Sequence, residues 1–204
     1  CSVMGEDGRL WVGTNSRGLS FSYGKRNDIE RYYRTDSGLT LEGSVATCID
    51  EDRDGDVWIT TERSGLLAFD PVTGSLERYD NKAIPHFLTS VCAVGDTLWV
   101  GAQNGLYRIL LKNDKVRYYD RFENKGEQVN NRVLSVRTDS KGQLFVSLVG
   151  GVYKYDDSTE SFYKTGDSDC VNIMDFADDG AGNLWMVSYT KGVYRYCQEG
   201  GSVR

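Results

Sequence analysis

An all-β fold made of about five copies of one four-stranded unit is predicted by three observations: the composition, a recurring aromatic phrase, and the turn residues around it. The 204 residues are 39% hydrophobic and 12% aromatic, with 13 Tyr, 4 Trp and 23 Gly but only two Pro, Pro71 and Pro85. Many aromatics and glycines with little proline suit short strands joined by tight turns. The same balance excludes a disordered chain, which lacks the aromatics to build a core.

The phrase is an apolar residue, an aromatic, an aliphatic and a small residue, then a short polar loop and Gly followed by an aliphatic. It reads Leu10-Trp11-Val12-Gly13 to Gly18-Leu19, Val57-Trp58-Ile59-Thr60 to Gly65-Leu66, and Leu98-Trp99-Val100-Gly101 to Gly105-Leu106. Leu144-Phe145-Val146-Ser147 to Gly151-Val152 and Leu184-Trp185-Met186-Val187 to Gly192-Val193 complete the set. The aromatics at 11, 58, 99, 145 and 185 are 47, 41, 46 and 40 residues apart, the spacing of β-propeller blades.

Each repeat resolves into four strands. The inner strand carries apolar residues three apart: Ala46 and Ile49, Val91 and Val94, Val133 and Val136, Ile173 and Phe176. An acidic, Gly-bearing turn follows, as in Glu51-Asp52-Arg53-Asp54-Gly55. The aromatic strand is second, and the Gly-aliphatic strand is third, ending on Phe69, Ile109, Tyr155 or Tyr196. Asp70-Pro71-Val72-Thr73-Gly74 then reverses the chain with φ preset at Pro and a positive φ available at Gly. The outer strand places Tyr three after an apolar residue, at Ile29/Tyr32, Leu76/Tyr79 and Val116/Tyr119, with Phe162 in the same place. Radially repeated four-stranded sheets bury their faces against one another, so the aromatic is expected as an inter-blade wedge.

The reading is a single partial β-propeller over 1–204, with antiparallel blades at about 1–40, 41–84, 85–127, 128–167 and 168–204. Residues 1–4 would be the tail of an inner strand, and the chain would stop after the third strand of its fifth repeat. These ends predict a piece of a larger propeller.

A formal net charge of −6 with no basic stripe argues against nucleic acid as partner. No apolar run reaches membrane-spanning length, and no signal peptide opens the sequence. Cys1, Cys48, Cys92, Cys170 and Cys197 lack metal-ligand spacing and sit mostly in apolar strand contexts. They read as buried free thiols, with a disulfide left open.

Asp7-Gly8-Arg9-Leu10-Trp11-Val12-Gly13-Thr14, Asp54-Gly55-Asp56-Val57-Trp58-Ile59-Thr60-Thr61 and Gly65-Leu66-Leu67-Ala68-Phe69-Asp70-Pro71-Val72-Thr73-Gly74 resemble the two-component regulator propeller repeat. The resemblance runs through five copies. It implies seven-bladed rings forming the periplasmic sensor region of hybrid two-component regulators in polysaccharide-degrading gut bacteria. An immunoglobulin-like domain, a membrane helix and a histidine kinase follow in that family and are absent from these residues. Sensors of this kind resemble dimers, so the resemblance implies as partners the remainder of the sensor kinase chain, a homodimer mate and an oligosaccharide ligand. Departures are Ser147 and Thr60 for the usual Gly, Phe145 for Trp, and a shortened turn at Gly95-Asp96-Thr97.

Catalytic machinery is not expected. The single His, His86, stands beside Pro85 in a loop without partners for a nucleophilic triad or a zinc site. Related propellers include lyases acting on cyclic peptide antibiotics, which resemble His- and metal-dependent enzymes; this chain cannot supply that set. Asp50, Asp52, Asp54 and Gly55 match the opening of a calcium loop, but Thr61 stands where a bidentate Glu is needed. The segment therefore reads as a solvated hairpin turn, and neither metal nor cofactor is expected. The pairs Asp156/Asp157 and Asp178/Asp179 also fall on turns rather than in an apolar pocket.

A ligand would sit over the axial mouth, on loops joining second to third strands and outer strands to the next inner strand. The first set is 15–17, 62–64, 103–104, 149–150 and 189–191. The candidate ligand-binding residues are Arg17, Arg63, Gln103, Asn104, Tyr189 and Lys191. Planar hydrogen-bonding groups and an aromatic face suit glycans bearing hydroxyls and carboxylates. The segment from Arg121 to Asn131 is long enough to cover such a mouth. The main expectation is an extracytoplasmic sensor of an oligosaccharide; the alternative is a scaffold that docks a protein.

Overall fold

A computed structural model describes residues 1–5, 7–15, 18–23, 29–32, 44–122, 130–165, 170–197 and 202–203. Every regular element among them is a strand. The first sheet holds β1 (Ser2–Met4), β2 (Arg9–Gly13), β3 (Leu19–Tyr23) and β4 (Ile29–Tyr32). The second holds β5 (Ala46–Glu51), β6 (Val57–Thr61), β7 (Leu66–Asp70) and β8 (Ser75–Arg78). The third holds β9 (Leu88–Val94), β10 (Thr97–Ala102), β11 (Leu106–Leu110) and β12 (Lys115–Tyr119). The fourth holds β13 (Val133–Thr138), β14 (Leu144–Leu148), β15 (Gly151–Asp156) and β16 (Ser161–Thr165). The fifth holds β17 (Ile173–Asp178), β18 (Asn183–Ser188), β19 (Gly192–Cys197) and β20 (Ser202–Val203). Within each sheet the strands lie in sequence order.

The fifth blade corrects the expectation that the chain stops at a third strand. Ser202 and Val203 pair antiparallel with Cys197 and Tyr196, a two-residue outer strand too short for any apolar period to announce.

The three-residue spacing of the inner strands also has a structural cause. Side chains alternate along a strand, so residues three apart face opposite sides unless an extra residue intervenes. The register shifts between Ala46 and Cys48, between Val133 and Ser135, and between Ile173 and Asp175. Each shift is a bulge that restores Val133 and Val136, and Ile173 and Phe176, to one buried side.

The chain forms two compact units. One comprises 1–100 with 108–116, the other 101–107 with 117–204. In the first, Trp11 is 1% exposed and packs with Leu19 and Phe21 of its own blade and with Ile49, Val57, Ile59, Leu67 and Phe69 of the next. Its ring centroid lies 4.9 Å from Phe21 and 5.6 Å from Phe69. Gly13 must lack a side chain here, since a Cβ would stand 3.0 Å from the Ala46 Cβ and 2.6 Å from Cys1 Sγ. In the second unit Phe145 plays the wedge, packing with Ile173, Phe176, Leu184, Met186 and Tyr196 of the next blade.

Ser147 and Thr60, which stand at the Gly13 position of their blades, put hydroxyls to use. Ser147 Oγ donates to Ile173 O of the next inner strand at 2.6 Å and accepts from Ser135 N at 3.1 Å. Thr60 Oγ1 donates to Cys48 O at 3.2 Å and accepts from Thr47 Oγ1 at 2.9 Å. The wedge expectation fails at Trp185, which is 40% exposed, because the described residues place no sheet against its outer face. All five cysteines are free thiols; Cys48, Cys92 and Cys170 are buried, Cys197 is half-buried and Cys1 is exposed.

Candidate ligand-facing loops

The loops between second and third strands are built alike. Thr14 closes its loop on Gly18 O through its N–H at 3.0 Å and its hydroxyl at 2.9 Å. Thr61 does the same to Gly65 O, at 3.1 and 2.9 Å, and its Oγ1 also accepts from Ser64 N at 2.8 Å. Ala102 N donates to Gly105 O at 2.9 Å. Ser188 Oγ accepts from Thr190 N and Lys191 N while donating to Val171 O. In the first, second and fifth blades the Ser or Thr after the aromatic phrase therefore anchors the loop through its hydroxyl, a local use of these residues as turn formers.

Backbone bonds then stitch these loops to the inter-blade connections. In the first unit Ala46 N donates to Thr14 O at 3.2 Å, Glu62 N to Val45 O at 3.1 Å, and Gly65 N to His86 O at 3.1 Å. In the second, Asn172 N donates to Val149 O at 3.3 Å and Tyr189 N to Asn172 O at 3.0 Å. Asn172 holds φ 52° to do this, a left-handed conformation that Asn tolerates better than most residues.

The expected ligand residues divide accordingly. Arg63 is exposed at the tip of the Thr61–Gly65 loop, and its side chain makes no hydrogen bond among the described residues. His86 lies against Gly65, on the connection that accepts the Gly65 N–H, and the next residue, Phe87, is 37% exposed. His86, read from the sequence as a surface residue, is exposed.

In the second unit Gln103 and Lys191 are exposed, and Tyr189 is 82% exposed with its hydroxyl unbonded among the described residues. Asn104 differs, because it is spent on its own blade. Its Nδ2 donates to Tyr107 OH at 2.9 Å, and its O accepts from Tyr118 OH at 2.6 Å. The Tyr107 and Tyr118 rings stack 4.8 Å apart, and burial raises the Tyr118 hydroxyl pKa, with Tyr107 and Asp120 adding to the rise. Arg17 and 123–129 of the long segment lie outside the described residues.

The acidic turns at the other end of the blades are not solvated hairpins throughout, which corrects that expectation. Asp52 is 6% exposed, and its Oδ1 accepts from Asp54 N and Asp56 N at 3.0 Å each. Its Oδ2 accepts from the Trp58 ring N–H at 2.7 Å. Asp179 treats Ala181 N, Asn183 N and the Trp185 ring N–H in the same way. The carboxylate six residues before the aromatic thus ties the turn to the ring.

In the first blade Gly5 stands at that place, and Glu51 from the next blade supplies the carboxylate, accepting from Trp11 Nε1 at 3.0 Å. Asp50 turns elsewhere, its Oδ2 taking Ala93 N at 2.8 Å. Among the exposed pairs, the Ser158 hydroxyl holds the Asp156 carboxyl below the usual range, and the Asn183 amide helps bring Asp179 down to about 2. Both shifts run opposite to what a general acid needs.

Residues 40–63, which end on Arg63 in its loop, match the model described as Two component regulator propeller. No curated protein sequence matches the chain. Among solved structures, the chain is similar to the extracellular domain of a putative one component system from B. thetaiotaomicron, at 21% identity and a TM-score of 0.79. It is also similar to that of a putative hybrid two component system from the same organism, at 17% identity and 0.76. These alignments cover 100% and 94% of this chain but only 27% and 26% of those chains. Virginiamycin B lyase from Staphylococcus aureus aligns at 15% identity and 0.75, over 100% of this chain and 68% of that one. At such identities the likeness establishes the fold. The chain is therefore an all-β propeller-type protein that carries the two component regulator propeller repeat.

Proposed function

We propose that the chain is part of the extracytoplasmic, ligand-sensing region of a hybrid two-component regulator, located in the periplasm, and that its loop face recognises an oligosaccharide. Its five blades then form part of one larger ring, whose signal passes to the remainder of the regulator chain and to a homodimer mate. The observation that carries the reading is the loop construction. Backbone bonds close these loops and tie those of Arg63 and Tyr189 to the neighbouring connections, so Arg63, Gln103 and Tyr189 stand exposed with unspent donors, acceptors and an aromatic face. Such groups suit hydroxyl-rich ligands. Similarity to the extracellular domains of putative one component and hybrid two component systems and the repeat match support the same reading.

The test is thermal unfolding of the chain against a panel of oligosaccharides. A ligand at about a hundred times its Kd adds roughly 2.7 kcal/mol. Arg63→Ala and Tyr189→Ala should remove that shift and leave the ligand-free midpoint in place. A second reading, a protein-docking scaffold, draws on the exposed apolar side chains Met174, Trp185, Val187 and Val193 of the fifth blade. No shift with any glycan, together with protein capture lost on Trp185→Ser, would favour it.

A further inference from the structure

The fourth blade departs from the ring-to-carboxylate tie described above. Asp139 holds the position of Asp52 and Asp179, six residues before the aromatic, and its Oδ1 accepts from Lys141 N at 2.9 Å and Gln143 N at 2.8 Å. The aromatic here is Phe145, which has no ring N–H to offer. No donor reaches Asp139 Oδ2 among the described residues, although Asp139 is only 7% exposed. Asp139 is largely buried, but this oxygen keeps access to solvent, so the donor that the ring does not supply comes from outside the protein.

The oxygen is not sealed in. Asp139 lines a cavity of about 360 Å³ together with Lys141, Gly142, Gln143, Lys154 and Asp157. Lys154 Nζ lies 5.5 Å from the centroid of the Phe145 ring, and neither Lys154 nor Lys141 is in an ion pair among the described residues. Gln143 is held by its amide, which donates to Tyr155 O at 2.8 Å and Leu144 O at 3.2 Å, leaving its Oε1 as an acceptor. The Asp157 carboxylate is exposed and unbonded. The cavity therefore offers acceptors in Asp139, Asp157 and Gln143, and two ammonium donors in Lys141 and Lys154. It sits at the end of the blade opposite the 149–150 loop, so it is distinct from the loop face.

We infer that this cavity is a binding site for a small zwitterion of the amino-acid class. The ligand's ammonium takes the place of the absent ring N–H at Asp139 Oδ2, and its carboxylate meets Lys154 and Lys141. A ligand carrying only one of the two charges leaves one half of the cavity unmatched. The second and fifth blades cannot bind in this way, because Trp58 and Trp185 already occupy the equivalent oxygen.

The test is a two-dimensional ¹⁵N NMR titration of the chain with glycine, β-alanine and γ-aminobutyrate, with methylammonium and acetate as single-charge controls at matched ionic strength. Saturable shifts of the Asp139, Lys141 and Gln143 amides are expected with at least one zwitterion, at least tenfold tighter than either control. Asp139→Asn keeps the turn acceptor but reverses the free oxygen to a donor, and should weaken binding at least tenfold. Phe145→Trp should abolish binding by returning the ring N–H to Asp139. Should that variant fold poorly, Lys154→Met, with its thermal midpoint checked, removes the carboxylate partner alone and should also weaken binding at least tenfold. No saturable shift with any zwitterion would overturn the inference. So would equal binding of the controls, or unchanged affinity in a folded Phe145→Trp or Lys154→Met.

Discussion

Removing Asp52 tests the internal tie between turn and ring. In Asp52→Ala the Trp58 ring N–H loses its acceptor in a setting where both residues are 6% exposed. A buried donor left without a partner costs about 1–3 kcal/mol, and each of the two turn amides, nearer to solvent, adds about 0.5–1 kcal/mol. The total is about 2–5 kcal/mol, which is a large share of the roughly 5–15 kcal/mol that holds a typical domain. Asp139→Ala removes the same two turn bonds without orphaning a ring N–H, so about 1–2 kcal/mol is expected there. Urea unfolding of both variants measures the contrast. A cycle with Trp58→Phe isolates the ring bond, with a coupling energy of about 1–2 kcal/mol expected. The reasoning is refuted if Asp139→Ala costs as much as Asp52→Ala, or if the coupling falls within the roughly 0.3–0.5 kcal/mol typical of independent sites.

Trp11→Ala should cost about 3–5 kcal/mol, the usual range for a buried large aromatic; Trp185→Ala, starting 40% exposed, should cost clearly less by the same denaturation assay. The Asp179 carboxyl lies at about 2 against an ordinary 3.8, the Asn183 amide and Ala181 N–H favouring the ionised form. Its contribution should therefore be complete above about pH 4 and disappear as pH falls through about 2. Stability of Asp179→Asn should converge on that of the parent at the acid end, and a gap that widened on acidification would contradict the assignment. Glu160 holds φ 48° in the turn where the second blade has Gly74 at φ 71°. Glu160→Gly should exceed Glu160→Ala in stability by about 1 kcal/mol, since both lose the exposed pair with Arg117 but only Gly relieves the backbone. Equal midpoints for the two would remove strain from the account.

What was legible in the sequence was whatever repeats. The aromatic at a 40–47-residue step marked the second strand of every blade, and the Gly-aliphatic pair marked the third. The inner strands were found by an apolar spacing of three that no flat strand explains; the bulges that create it follow from main-chain register, which leaves no residue signature of its own. The two-residue β20 was missed because two residues carry no period. The acidic turns were misjudged for a different reason. Asp on a Gly-bearing turn looks solvated until the ring six residues later folds over it, and that contact is visible only in three dimensions. The substitution of Glu51 for an in-blade carboxylate at Trp11 could not be read at all, since the partner is 40 residues away.

The chain of backbone bonds through Thr14, Ala46, Val45 and Glu62, and through Val149, Asn172 and Tyr189, has a consequence for how this surface can change over time. A loop whose conformation depends on its own side chains can rarely vary them without collapsing. Here the main-chain atoms and a few Ser, Thr and Gly anchors set the conformation, and the tip side chains of these loops, unlike Asn104, carry no structural duty. Positions such as 62, 63, 189 and 190 can then drift through charge, size and aromaticity at almost no cost in folding. New specificities become reachable by single substitutions, in the way a printing frame accepts fresh type without being rebuilt.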